Sequence, residues 1–270
     1  MGTDLNADLN GDDARPRPPH QPAPSAYGTL CTLFYDADKP RASAEELAWY
    51  RARLPCDGGP MLEAMTGSGR LLLPLTEDGY RVHGVDTSEA MLASCARRLQ
   101  EAGREAHLFR QNIAALNLPF RYGAAFVAAG SLQLLTAPEA VREALGRIRA
   151  HLIEPAVLLL DLFVPEAASH PPGAPVVEFR SVGLPDGSQV VHRSETTSDP
   201  ERRRIAIASR YERRLAGQIV AREDEHLEYT WYAEEEIFSL LQRAGYGDVR
   251  IEPPAWPREA GHYFGVTARA

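Results

Sequence analysis

The sequence predicts an α/β protein built on a mostly parallel sheet, with a block of antiparallel strands inserted late in the chain. Two observations carry this. From Pro60 onward, short apolar runs alternate with helical patterns, and strands alternating with helices at that spacing imply right-handed crossovers and a parallel sheet. From about Pro175 the pattern changes to β-rich runs joined by turn signals, Pro185-Asp186-Gly187, Asp199-Pro200 and Ala216-Gly217, which reads as an antiparallel insertion of three or four strands.

Each element follows from its residues. "SAEELAWYRARL", residues 43–54, offers a Ser N-cap, acids in the first turn and arginines near its end, which predicts a helix. "PMLEA" reads as a strand, "GRLLLPLTED" as a helix, "YRVHGVD" as a second strand and "SEAMLASCARRLQEAG" as a second helix. "AHLFRQN" and "AAFVAAG" follow as strands, "PEAVREALGRIRAHL" as an amphipathic helix and "AVLLLDLF" as a buried strand. After the insertion, "AEEEIFSLLQRAGYG" is a helix with glycine at or near its C-terminal cap, and "DVRIEPP" and "HYFGVTARA" supply two last strands. The domain reading is a disordered tail over 1–25, a core over 26–174 that includes an N-terminal lid, the insertion over 175–232, and completion of the core sheet over 233–270.

Composition limits the function classes. The 270 residues, 44% hydrophobic and 24% charged, suit a globular protein, and no apolar run is long enough to cross a bilayer. The N-terminus is polar, acidic and then Pro-rich, without the apolar stretch of a secretory signal, so the expected location is cytoplasmic. Cys31, Cys56 and Cys95 are scattered, with no metal-ligand spacing, so no metal is expected. A formal charge of -8 with one short basic run, residues 202–204, argues against nucleic acid as a partner.

Ligands of such sheets sit beyond the carboxyl ends of the strands, which here carry Glu63, Asp86, Asn112, Gly130 and Asp161 or Phe163. Asp161 reads either as a site acid or as a strand-end cap. The turn "EAMTGSGR" holds Gly67 and Gly69 after the first strand, but Leu72 replaces the third glycine of a dinucleotide fingerprint. A phosphate-binding P-loop is excluded because Gly69 precedes Arg70 and no Gly-Lys-Ser/Thr follows. S-adenosylmethionine needs a carboxylate for its ammonium, small residues where it crosses the turn, and an acid for its ribose diol. Glu63, Gly67, Gly69 and Asp86 meet that list.

On these residues the chain resembles the class I S-adenosylmethionine-dependent methyltransferases of small-molecule type, over nearly all of its length outside the tail. The resemblance implies a Rossmann-like fold with a seven-stranded, mostly parallel sheet flanked by helices, and an antiparallel β cap before the last helix. It assigns Glu63, Met65, Gly67 and Gly69 to the methionyl side of the cofactor and Asp86 to the ribose. Thr87 and Met91 fall to the adenine side, with Asn112 and Ile113 beside the adenine amino group, and Gly130, Ser131 and Leu132 line the pocket. Tyr35, in "LFYDADKP", is the candidate catalytic residue over the sulfonium. The acceptor pocket is drawn from Tyr35, Ser131, Arg180, Tyr211, Tyr229 and Trp231.

The expected activity is in-line N- or O-methylation of a small metabolite, of the secondary-metabolism kind. The alternative is a reaction of S-adenosylmethionine alone, its amine closing on its own γ-carbon to give azetidine-2-carboxylate and methylthioadenosine. Met65, standing beside the amino-acid end where glycine normally leaves room, motivates that alternative. A third reading is a binding protein that kept the fold without catalysis.

Overall fold

The computed structural model describes residues 27–165, 175–252 and 262–270; the expected N-terminal tail lies outside them. The first strand is β1 (Pro60–Ala64), followed by α3 (Leu72–Glu77), β2 (Arg81–Asp86), α4 (Glu89–Glu101) and β3 (Leu108–Arg110). The chain continues through β4 (Tyr122–Val127), α5 (Pro138–Ala150) and β5 (Leu152–Val164). Ahead of them stand α1 (Thr29–Asp38) and α2 (Ala44–Arg51).

The expected sheet is present: seven strands in the order β10-β11-β5-β4-β1-β2-β3, completed by β10 (Gly247–Glu252) and β11 (His262–Arg269). Strands β1 to β5 pair in parallel, while β11 runs antiparallel to both β5 and β10. The order reverses between β1 and β4, which makes the crevice above their carboxyl ends the topological switch point. Apolar side chains fill both faces of the sheet. Leu62, Ala125, Leu158 and Val266 pack under α5 and α6 (Glu234–Arg243), and Met61, Val82, Phe126 and Leu159 pack under α2 to α4.

Helix α2 begins at the expected cap, where Ser43 accepts the Glu46 amide, and at the start of α4 Ser88 accepts that of Met91. Helix α1 has no such signal. Its N-cap is Gly28 without a side-chain cap, and its amides at Leu30 and Cys31 donate instead to the Glu223 carboxylate, each at 2.9 Å. A carboxylate there both satisfies orphan donors and complements the helix dipole.

Glu223 belongs to the insertion, a four-stranded antiparallel sheet of β6 (Val176–Gly183), β7 (Gln189–Asp199), β8 (Arg204–Leu215) and β9 (Gln218–Thr230) in sequential order. Its inner face packs on α1 through Leu30, Cys31, Phe34, Val190 and Tyr211. The ring of His192 stacks on Tyr211 with centroids 4.4 Å apart and accepts or donates to Ser209 at 2.9 Å. The cap sheet thus holds α1, clamped at its N-terminus by Glu223 and at its C-terminus by an ion pair between Arg180 and Asp38.

Candidate functional site

A cavity of about 1090 Å³ opens above the carboxyl ends of the parallel strands, roofed by α1 and by β9. Its floor is the β1 to α3 turn. Glu63, the penultimate residue of β1, is 3% exposed and accepts the Thr66 hydroxyl at 2.9 Å. Burial pushes its carboxyl up to about 8, against the Thr66 hydrogen bond and the nearby Arg70, both of which lower it. Such a group holds a proton when alone and gives it up to a cation.

The turn carries left-handed backbone at Met65 (φ 63), Gly67 (φ 55) and Gly69 (φ 78). For methionine that conformation is strained, on the order of 1 kcal/mol or more, and Met65 holds it at the wall of the cavity. The same is true of Tyr27 (φ 59) and of Ala129 (φ 59), which also line it. Three of the six non-glycine residues with positive φ among the described residues thus line this cavity, while Arg203, Ala216 and Asp248 lie outside it.

The two glycines differ in what they serve. Gly67 faces the cavity, with only the Met91 sulfur, at 3.9 Å, near the place of a Cβ. Gly69 does not line the cavity; a Cβ there would stand 2.6 Å from the Cys95 sulfur on α4. Gly69→Ala is therefore expected to lower stability by about 1–3 kcal/mol through overpacking and positive φ, read as a shift of the urea midpoint.

Asp86 ends β2, the next strand, half-buried on the opposite side of the turn. Its Oδ2 accepts the Gly67 amide at 2.8 Å and its Oδ1 accepts the Ser88 amide at 2.9 Å. Burial raises its pKa, and those backbone bonds oppose the rise. Thr87 and Met91 line the same end of the cavity. Asn112 and Ile113 close it, with the Asn112 side-chain oxygen accepting the Ala114 amide at 2.9 Å. One lone pair of that oxygen remains for a ligand.

Beyond β4 and β5, Ser131 lines the cavity but Gly130 and Leu132 do not. Leu132 is fully buried in the core, and Gly130 touches the Phe163 ring, 2.4 Å from where its Cβ would stand. Asp161 proves to be a structural acid: it accepts the Tyr50 hydroxyl and the Gly130 amide, both at 2.9 Å, and is buried.

Tyr35 lines the cavity from α1 and interacts electrostatically with Arg70. Of the other residues drawn into the acceptor pocket by sequence, Ser131 lines the cavity, whereas Arg180, Tyr211, Tyr229 and Trp231 sit elsewhere. Arg180 pairs with Asp38 and lies over the Phe34 ring, 5.6 Å from its centroid. Tyr211 is buried between Phe34 and His192, and Trp231 is buried just past β9. Tyr229 is set back from the cavity wall, packed on Phe163 at 5.4 Å. Arg180→Ala is expected to cost about 1 kcal/mol of stability, because the Arg180 side chain is half-exposed; chemical denaturation reads it.

Sequence reading missed Arg70 and Glu46. Both line the cavity, and they form a bidentate pair at 2.5 and 2.7 Å beside Glu63. Burial acts to lower the Arg70 pKa, but the Glu46 hydrogen bonds outweigh it, so the guanidinium stays charged. The missed signal was the arginine directly after the second turn glycine. Among the described residues no cluster of His, Cys, Asp and Glu could hold a metal ion, and no helix is long and apolar enough to cross a membrane.

Comparison with known proteins agrees with this geometry. Residues 61–154 match a family model described as "Methyltransferase domain". Over 102 residues the chain is 30% identical to "Putative methyltransferase GWCH70_2453" of Geobacillus sp. (strain WCH70), a match covering 38% of this chain and 41% of that relative's length. Among solved structures, an S-adenosylmethionine-dependent methyltransferase from Clostridium acetobutylicum ATCC 824 aligns with a TM-score of 0.70 at 15% identity, over 90% of this chain and 98% of that one. The sugar N-methyltransferase KedS8 from Streptoalloteichus sp ATCC 53650 aligns with a TM-score of 0.70 at 19% identity over 100% of both chains. The CcbJ methyltransferase from Streptomyces caelestis aligns at 0.66 and 23% identity, over 87% of this chain and 96% of that one. Residues 61–154 thus match a methyltransferase-domain model, and the chain has the Rossmann-like fold of these solved S-adenosylmethionine-dependent methyltransferases.

Proposed function

We propose that this protein transfers the methyl group of S-adenosylmethionine to a small-molecule acceptor. The observation that carries the reading is the placement of two carboxylates, Glu63 and Asp86, at the ends of adjacent strands on either side of the Gly67 turn. Glu63 receives the ammonium of the methionyl group, and Arg70 offers its carboxylate a cation at the same end. Asp86 takes the ribose hydroxyls, and Thr87, Met91, Asn112 and Ile113 enclose the adenine. The sulfonium then lies under Tyr35, facing Ser131 and the open half of the cavity.

The sulfonium is already an activated leaving group, so the enzyme's task is to align a nucleophile with the methyl carbon and exclude water. The roof formed by α1 and β9 supports that role. A small acceptor is supported by the cavity size and by structures of the same fold that act on sugars, among them the sugar N-methyltransferase named above.

Incubation of the purified protein with S-adenosylmethionine, alone and with candidate acceptors, followed by mass spectrometry tests the reading. S-adenosylhomocysteine formed only with acceptor is the expected result. Methylthioadenosine formed without acceptor would replace methyl transfer by cyclisation.

A further inference from the structure

On the β5 and β11 side the cavity is lined by aromatic rings. Phe163 and Tyr263 stand side by side on β5 and β11, paired in the sheet register, with centroids 5.4 Å apart and planes at 29°. Both line the cavity. Tyr229 of β9 also packs on Phe163, with centroids 5.4 Å apart and planes at 61°.

The wall is held in place from behind. The Gln133 side chain, fully buried, accepts the Phe163 amide at 2.9 Å and donates to the carbonyls of Phe163 and Thr230, both at 2.8 Å. One amide thus pins the ends of β5 and β9 together. On the near side, the Phe163 ring rests where any residue larger than Gly130 would clash.

The surrounding charge is mostly negative. Outside the ion pairs of Glu46 with Arg70, Asp38 with Arg180 and Arg41 with Glu77, the charged groups lining the cavity are the carboxylates of Glu63, Asp86 and Glu228 and the ammonium of Lys39. Aromatic faces carry negative potential as well. A phenolate or carboxylate nucleophile would meet repulsion here, while a group gaining positive charge would be stabilised as that charge develops.

We infer that Phe163 and Tyr263 form the acceptor wall, with Tyr229 packed against Phe163 behind it, and that the acceptor is an amine that becomes cationic as it is methylated. This rests on the methyltransferase reading above and narrows it from N- or O-methylation to N-methylation. The amine arrives neutral, and its lone pair forms the bond to the methyl carbon as the carbon-sulfur bond breaks. The electron pair of that bond returns to sulfur, giving neutral S-adenosylhomocysteine. The positive charge passes to nitrogen, facing the rings, and the new ammonium releases its proton to water.

The test uses the full-length protein saturated with S-adenosylhomocysteine and two probes of equal shape: choline, and the neutral alcohol in which carbon replaces its quaternary nitrogen. Choline is expected to bind roughly tenfold more tightly than its isostere. Phe163→Leu and Tyr263→Leu should each reduce that ratio toward one, whereas Tyr263→Phe should keep it, and S-adenosylhomocysteine affinity should stay within about twofold. Equal affinities for the two probes, binding of neither, or a ratio unchanged in both leucine variants would overturn the inference while leaving the cofactor site intact. Failure to bind S-adenosylhomocysteine at all would instead remove the methyltransferase reading on which it rests.

Discussion

Asp86→Ala is expected to weaken S-adenosylmethionine binding by about 2–4 kcal/mol, roughly 30-fold or more. Two losses add. The ribose loses a charged acceptor, and the amides of Gly67 and Ser88, which Asp86 holds at 2.8 and 2.9 Å, lose their partner, so the turn under the methionyl group relaxes. Asp86→Asn keeps one acceptor oxygen and should fall between wild type and alanine. Calorimetry with S-adenosylhomocysteine measures the series, and unchanged affinity in the alanine variant would remove Asp86 from the site.

Glu63→Gln is expected to weaken the cofactor and, at alkaline pH, to stabilise the empty protein. The sign follows from the raised carboxyl. The folded state holds the proton up to about pH 8, whereas the ordinary value is 4.5. Between those values the folded state binds more protons than the unfolded one, so Glu63 makes stability fall as pH rises from about 4.5 to about 8. Glutamine removes that slope, and the variant should melt several degrees higher than wild type at pH 8.

Binding of the cofactor ammonium reverses the preference. Wild-type affinity should rise with pH toward about 8, with a proton released on binding at neutral pH, seen as a heat that depends on the buffer's ionisation enthalpy. Glu63→Gln should bind at least tenfold more weakly near pH 8, with no such proton release. A pH-independent wild-type affinity between pH 6 and 8 would contradict this role.

How much of this was legible in the sequence depended on how local the cause was. The parallel core was readable because each strand is a short apolar run ending at a turn residue, and the Ser43 cap because it bonds to an amide three residues on. The turn of Gly67 and the acids Glu63 and Asp86 were readable for the same reason. Helix α1 was not, because the carboxylate that caps it, Glu223, lies 193 residues from Leu30. Arg180 and Tyr211 were drawn into the acceptor pocket because cap residues of their type suit one, yet they hold α1 to the cap through Asp38 and Phe34.

Gly130 and Leu132 show a smaller error of the same kind. Sequence placed the whole segment after β4 at the pocket, but the short 3-10 turn Ser131–Leu134 directs Leu132 into the core while Ser131 stays at the cavity. Asp161 could not be assigned from sequence at all. Its role is set by the Tyr50 hydroxyl, from a helix 111 residues away.

The central claim is that the cavity beneath α1 holds S-adenosylmethionine between Glu63 and Asp86, and calorimetric titration of the wild-type protein with the cofactor near pH 8 tests it most directly. The account predicts one-to-one binding that is weakened at least tenfold by Glu63→Gln and by Asp86→Ala. No binding at millimolar cofactor, or binding that neither substitution changes, would contradict it.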